Sequence, residues 1–402
     1  MKHRLRDLLA CCSCGSSPLD LTVIETALVP APAVDGVRCS HYCSWCSEKV
    51  EGSGRARPCA ECYGTEITQG VLHCDACRRD FPVIDGVPRF NPDVEQDFPS
   101  FFKLYGGAFR YREAPDLADF RALHAQTKRS FGFQWLRFQV TDHEENRAVF
   151  FSRTETKPGS LGSKLFFEAG CGMGRYLQVI GDERPAEVVG LDLSLAVNRA
   201  YEEARGRPFI HVVQGDILQL PFRGATFDHV YSIGVLHHTP DMRSSFRSIV
   251  KLAKPGGRVS IWVYHVWRPP ELHGLKAVHA TMKGWIAGTL RKVTTCIPLS
   301  LLCYLCYIAA PVGWLGRCAD RTQGPVRILL SPLLMIPCSI HAKWKVRVLD
   351  TFDWYSPRFQ WKHTVAEIED WFREEGLTNI STKGFPVSVR GTVPGQGGTV
   401  NR

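Results

Sequence analysis

A doubly wound α/β fold, a mostly parallel sheet with helices on both faces, is what this sequence predicts from three observations. Short runs rich in β-branched and aromatic residues recur between 164 and 264. Stretches with helical spacing separate them, and glycines and acids fall where the runs end. In order, the strands are 164–169 (KLFFEA), 187–192 (EVVGLD), 209–215 (FIHVVQG), 227–233 (FDHVYSI) and 258–264 (RVSIWVY). Helices fit at 173–180, 195–204 and 241–253, the last stopped by the turn at Lys254, Pro255, Gly256 and Gly257.

Composition divides the rest of the chain. Residues 1–90 form a Cys-rich module, and 91–163 an aromatic, charged linker or cap, read as helices that end at the turn-forming KPGSLGS stretch. Residues 164–402 form the α/β domain, with an apolar helical insertion at 265–350. At 402 residues, 44% hydrophobic and 22% charged, the chain is large enough for this plan and composed like an ordinary globular protein. The formal charge of +9 is scattered, so nucleic acid, an anionic substrate or a membrane surface is permitted as partner and none is required.

The first strand runs into Glu168, Ala169, Gly170, Cys171, Gly172, Met173 and Gly174, a loop that lets backbone approach a ligand at the switch point of the sheet. GxGxG preceded by an acid differs from the GxGxxG of dinucleotide binding, and no Lys-Ser/Thr pair for a phosphate is present. Asp192 ends the second strand, where a carboxylate can accept from both hydroxyls of a ribose. Such a buried carboxylate is costly unless a ligand or donor meets it. The third strand ends in Gly215, Asp216 and Ile217, an acid and an apolar wall suited to an adenine ring. An adenosyl group without phosphates fits best. Gly174 serves close helix packing equally well, and Ile217 the core.

The stretches EAGCGMGR, GLDLS, GDILQLPF, FDHVYSIGVLHHTPD and LAKPGGRV resemble the successive motifs of class I S-adenosylmethionine-dependent methyltransferases of the ubiquinone-methyltransferase-like group. The resemblance implies a Rossmann-like, seven-stranded class I sheet, S-adenosyl-L-methionine as cofactor, and methyl transfer as activity. It further implies that Glu168, Gly170, Cys171, Gly172 and Gly174 shape the methionine pocket. Asp192 and Leu193 would hold the ribose, Asp216 and Ile217 face the adenine, and Ser232 and Ile233 lie beside the sulfonium. Methyl transfer is an in-line displacement at an activated carbon, so positioning and desolvation supply much of the rate and a base is optional. For a hydroxyl acceptor, His237, His238 and His265 are the candidate bases, each explained as well by packing or hydrogen bonding.

Ten of the sixteen cysteines fall within 11–77, mostly as CxxC pairs. By spacing, Cys43, Cys46, Cys59 and Cys62 make one four-thiolate zinc site, and Cys11, Cys14, Cys74 and Cys77 close a second around it. Cys12 and Cys39 are left over as substitutes. Two structural zinc ions are expected. LLACCSCGSSPL and HCDACRRDFPVIDGVPRF resemble the two ends of the zinc-ribbon domain that precedes or partners some methyltransferases, which supports the outer pairing. The expected role is a staple for a segment with little core, with recruitment or substrate docking as the functional alternative. The apolar run between Asp7 and Cys11 is too short for a signal peptide, so a reducing cytoplasm is the expected location.

Phe131, Phe133, Trp135 and Phe138 lie in a segment that resembles the SFG-x-x-W stretch ahead of the glycine loop in part of this group; it caps the cofactor or packs on the domain. Val293 to Gly316 carries no charge and 328–342 is similar, but Pro298, Pro311, Pro332 and Pro337 cut both short of a membrane span. Lid helices over an apolar acceptor rank ahead of an interfacial hairpin making peripheral membrane contact. Downstream, Thr364 caps a helix carrying Ile368, Trp371 and Phe372 on one face, and Trp354, Tyr355 and His363 border the acceptor pocket. TNISTKGFPVSVRG closes the sheet as a hairpin, and the tail beyond Thr392 is too glycine-rich to order. The expected acceptor is a small molecule: a secondary metabolite, lipid or saccharide precursor. RNA docked through the zinc module is the alternative acceptor, and a non-catalytic zinc-containing adaptor the alternative class.

Overall fold

In the computed structural model, the described residues are 1–30, 32–33, 38–50, 57–111, 117–138, 142–183, 187–266, 273–322, 337–382 and 387–395. The tail from residue 396 and most of the second apolar segment, up to residue 336, lie outside them, while Val393, expected to be disordered, donates to the Gly257 carbonyl at 2.9 Å. The Cys-rich segment folds as an antiparallel sheet of β1 (Asp20–Leu28), β4 (Thr65–Cys74), β5 (Arg79–Ile84) and β6 (Val87–Pro88). The connection from β1 to β4 carries a short hairpin, β2 (Tyr42–Cys43) and β3 (Glu48–Lys49), and helix α1 (Cys59–Gly64). Between this module and the main sheet come α2 (Val94–Asp97), α3 (Pro99–Tyr105), α4 (Ala118–Arg137) and α5 (His143–Thr154).

The main sheet contains β7 (Leu165–Ala169), β8 (Glu187–Asp192), β9 (Ile210–Gln214), β10 (Phe227–Ile233), β11 (Ala253–Trp262), β12 (Thr378–Thr382) and β13 (Ser388–Thr392). Their order is β12-β13-β11-β10-β7-β8-β9; the five strands β7 to β11 are parallel, and β13 runs antiparallel to both neighbours. Every residue of β7, β8 and β9 is buried, as parallel strands covered on both faces require. Helices α6 (Arg175–Asp182), α7 (Ala196–Glu203) and α8 (Met242–Val250) make the crossovers. Helix α8 ends three residues earlier than its spacing suggests, and β11 starts at Ala253. The carbonyls of Lys251 and Leu252 are taken by the N–H groups of Ala225, Thr226 and Phe227, so sheet pairing displaces the helix's last turn.

The insertion supplies α9 (Gly274–Thr294) and α10 (Leu299–Arg321), followed by α11 (Trp344–Tyr355) and α12 (Val365–Glu374). Pro311 does not cut α10: it sits inside the helix at an exposed position, four residues after the exposed Tyr307 whose carbonyl it cannot serve. Thr364 and Glu367 form a reciprocal capping box at the start of α12, whose Ile368 and Phe372 are buried, as the sequence pattern requires.

Module and sheet domain share one core. Leu5, Leu9, Leu72 and Val83 are continuous with Phe167, Phe222 and Phe227. Main-chain bonds cross the junction, from Ala10 N–H to the Pro221 carbonyl at 3.0 Å and from Arg223 N–H to that of Leu8 at 3.1 Å. Beneath them Arg4, wholly buried, donates to Asp7 at 2.7 Å and to Glu187 at the start of β8 at 3.3 Å. Tyr63 and His211 each meet the other Glu187 oxygen at 2.8 Å. Burial pushes the Glu187 carboxyl up, but Arg4, His211 and Tyr63 together hold it well below the usual range. A depressed acid stabilises above its unfolded-state value and loses that contribution as pH falls through the folded one. Arg4→Met, which strands a buried carboxylate, is expected to cost about 3–5 kcal/mol in urea unfolding near neutrality, and less in acid. An unchanged midpoint would refute this.

Candidate active site and cysteine cluster

The carboxyl ends of β7, β8 and β10, with the loop after β9, open into a cavity of about 290 Å³. Glu168, Gly170, Cys171, Gly172, Asp192, Leu193, Asp216, Ile217 and Ile233 all line it. Two of the sequence candidates stand behind the wall. A Cβ on Gly174 would come within 3.0 Å of Ala200 on α7, a helix-packing role, and Ser232 is buried with its hydroxyl donated to the Ala169 carbonyl at 2.8 Å.

The glycines make a cradle that side chains would fill. Gly170 has φ +85° and a Cβ there would strike Val235 at 2.3 Å; Gly172 has φ +53° and would approach the Trp135 indole nitrogen at 3.0 Å. Asp192 ties the loops together: one oxygen accepts from Gly172 N–H at 2.8 Å, the other from Ser194 N–H at 2.8 Å and its hydroxyl at 2.7 Å. The donors that a buried carboxylate needs are therefore largely protein groups, and Oδ2 keeps acceptor capacity for a ligand. Burial raises the Asp192 carboxyl, which these bonds partly offset. Glu168 accepts from Tyr231 at 3.0 Å and is pushed up to about 8, chiefly by burial. Asp216 caps its own loop through Leu218 N–H at 2.9 Å and pairs with His124 of α4 at 3.2 Å.

Two walls complete the cavity. Helix α4 contributes His124, Thr127, Lys128, Phe131, Gln134 and Trp135, so the aromatic segment both caps the cavity and packs on the domain. Helix α11 contributes Leu349, Asp350 and Asp353, which the sequence reading missed. A carboxylate at i and i+3 on a helix signals nothing without knowing which face turns inward. Asp353 accepts from Gln134 at 3.1 Å and from the Tyr264 hydroxyl; burial pushes Asp350 up to about 6. Of the residues expected to border the acceptor, Trp354, Tyr355 and His363 do not line the cavity; Tyr355 instead donates to the Pro337 carbonyl at 2.5 Å.

The three histidines separate. His238 lines the cavity; its Nδ1 donates to the Phe359 carbonyl at 2.8 Å, which leaves Nε2 as the acceptor nitrogen, 3.8 Å from Asp353. Burial lowers its tendency to take a charge, against the pull of Asp353. His237 is behind the wall, stacked on Tyr264 at 3.9 Å between ring centres, and His265 pairs through backbone with His363.

The module reaches this site. Phe90 N–H donates to the Gln214 carbonyl at 2.8 Å, extending the sheet beyond β9. The buried Arg89 donates to the Gln214 side chain at 3.0 Å and to Asn198 at 2.8 Å, and Asn91 donates to the Leu193 carbonyl at 2.8 Å. These bonds brace the loop that carries Asp192.

Cys11, Cys14, Cys74 and Cys77 converge, their sulfurs all within 4.8 Å of one another. Tetrahedral zinc with Zn–S of about 2.3 Å sets its sulfurs about 3.8 Å apart, inside that limit, so the outer set fits the ion. Among the described residues, Cys43, Cys46, Cys59 and Cys62 are not drawn together as the outer four are. Cys43, Cys59 and Cys62 surround a small void together with Cys39 and three arginines, Arg4, Arg38 and Arg57. Arg57 interacts with the Cys43 thiol and pairs with Glu48 at 2.8 Å, which puts a guanidinium beside the inner thiols.

Residues 167–261 match the methyltransferase domain family, and residues 2–86 the Trm112p-like protein family. 24-Methylenesterol C-methyltransferase 2 of Oryza sativa subsp. japonica is 29% identical over 160 residues, 37% of this chain and 41% of that protein. "Probable tRNA methyltransferase 9B" of Bos taurus is 37% identical over 113 residues, 27% of this chain and 22% of that protein. The chain thus spans less than half the length of either relative, and neither name singles out a ubiquinone-related group. A solved complex between the Haloferax volcanii Trm112 methyltransferase activator and a methyltransferase aligns with TM-score 0.35 at 14% identity, covering 69% of this chain and 96% of that one.

Proposed function

We propose that this chain, which joins a Trm112p-like module to a methyltransferase domain, transfers a methyl group from S-adenosyl-L-methionine to a small-molecule acceptor. In this reading residues 1–90 are the module, 91–163 the cap and 164–402 the catalytic domain. The observation that carries it is the convergence of Glu168, Gly170, Gly172, Asp192, Asp216 and Ile217 on one cavity whose opposite wall holds Asp350, Asp353 and His238. Bound there, the cofactor supplies a methyl carbon on a positive sulfonium. The Gly170 and Gly172 backbone would leave room for it, Asp192 would accept from the ribose, and Asp216 with Ile217 would border the adenine. Glu168, whose carboxyl burial pushes up to about 8, would be drawn toward its carboxylate form by the positive charge beside it.

The acceptor occupies the side formed by α4 and α11. There His238 Nε2 can take a proton from an acceptor hydroxyl, with Asp353 stabilising the imidazolium that results. His238→Gln is expected to lower methyl transfer roughly a hundredfold while cofactor affinity stays the same. Equal rates in the two proteins would remove His238 from the chemistry.

A second reading, RNA as acceptor, is favoured by the tRNA methyltransferase relative. Labelled cofactor incubated with fractionated cell extract separates the two. The small-molecule reading requires label in low-molecular-weight material. Label in RNA, with steeply salt-dependent RNA binding, would replace it by the second. No label in any fraction would sink both.

A further inference from the structure

We propose that the outward faces of α9 and α10 dock on an anionic phospholipid surface. The surface stands on its own geometry; only its purpose, giving the cavity access to an acceptor dissolved in the bilayer, rests on the proposed function.

Helix α10 is turned inside out relative to a helix of a soluble core. Its small side, Cys303, Cys306, Ala310 and Gly313, is buried on α11 and the segment before it; a Cβ on Gly313 would meet the Ser339 carbonyl at 2.2 Å. Its bulky side, Leu301, Tyr304, Leu305 and Ile308, follows i, i+3, i+4, i+7 spacing and points outward, with Tyr304 72% and Ile308 65% exposed. Helix α9 shows the same on Val278, Met282, Trp285 and Val293, with Trp285 73% exposed. Two helices of 21 and 23 residues, joined by residues 295–298, therefore each present an apolar stripe rather than scattered surface side chains.

Charge selects the occupant. From 274 to 321 the sequence has Lys276, Lys283, Arg291, Lys292, Arg317 and Arg321 against a single acid, Asp320. Trp344 and Lys345 extend this composition onto the start of α11, both exposed. Arg291 and Arg317 turn to the carbonyls of Trp354 and Ile340, while Lys292 and Arg321 are exposed at the last turns of the two helices; apolar stripes carrying Trp and Tyr, with exposed cations at their ends, match the boundary between acyl chains and anionic headgroups. A second copy of the chain would bring the same cations face to face, which disfavours self-association through this surface.

Helix α10 is also long and apolar enough to cross a membrane. One side of it, however, is committed to α11, where Val348, Leu349 and Phe352 pack against Leu302, Cys303 and Cys306. Lying in the interface keeps that packing. The same helix α11 lines the cavity with Leu349, Asp350 and Asp353. A single helix thus separates the proposed membrane face from the candidate acceptor pocket.

The test is co-sedimentation of the full chain with vesicles of phosphatidylcholine alone and of phosphatidylcholine with phosphatidylserine, without cofactor. Binding to the anionic vesicles, weakened by salt, is expected, with a blue shift of tryptophan fluorescence. Trp285→Asp with Ile308→Asp should reduce partitioning roughly tenfold or more. Both positions are exposed, so an unchanged melting temperature and cofactor affinity confirm that the variant is folded. The proposal is overturned by failure to bind the anionic vesicles, by undiminished binding of the variant, or by concentration-dependent self-association that the variant abolishes. Release only by detergent, not by salt or alkali, overturns it in favour of a spanning α10. Because vesicle binding needs neither cofactor nor turnover, a failure of the methyl-transfer reading shows separately, as absent transfer by a protein that still sediments.

Discussion

Asp192→Ala is expected to weaken binding of S-adenosyl-L-methionine by roughly a hundredfold, about 3 kcal/mol, in calorimetric titration. The magnitude has two sources. A charge-assisted bond to the ribose disappears, and the buried Gly172 N–H, now bonded to Asp192 at 2.8 Å, loses its acceptor. The hydroxyl and N–H of Ser194 also lose theirs, so the second loop loosens with the first. Because the ribose belongs equally to S-adenosylhomocysteine, that molecule should lose the same factor. A loss confined to the sulfonium ligand would mean that Asp192 acts only as a distant charge, and normal binding of both would remove the cofactor from this cavity.

Metal analysis should find one zinc per chain, and Cys74→Ser should abolish it, while Cys59→Ser should leave it unchanged. The four converging sulfurs of Cys11, Cys14, Cys74 and Cys77 carry the first expectation, and Arg57 among the inner thiols carries the second. Structural zinc contributes on the order of 10 kcal/mol to small modules that close around it. Its loss should therefore unfold the module's first turn and lower the melting temperature of the whole chain, since Leu9 belongs to the shared core. Cofactor affinity should fall with it, because Phe90 and Asn91 brace the Gln214 and Leu193 carbonyls. Two zinc ions per chain, with Cys59→Ser removing one, would restore the nested arrangement that spacing suggested.

Much of the candidate site was legible because its signals are local. The glycine loop, Asp192 and Asp216 each sit at a strand end, and a strand, its turn and the helix after it lie within a few residues of one another. The five parallel strands and the Thr364 cap are legible for the same reason, since side-chain period and turn chemistry are written along the chain, whereas the seven strands of the sheet were implied by the family resemblance. Proline misled at Pro311, because a breaker's cost depends on whether the lost bond faces protein or solvent.

The sequence by itself determined the α/β domain, the cradle of glycines and acids, the outer cysteine set and the apolar character of α10. Only the tertiary structure decided which thiols meet, that Arg57 intrudes among the inner four, and that Asp350, Asp353 and His238 face the cavity while His237 and His265 do not. It also decided that Arg89 reaches Gln214, 125 positions along the chain, and that α10 turns its bulky side outward. Such contacts join residues distant in sequence, and no local period or turn records them; packing of the whole chain selects the face each side chain presents.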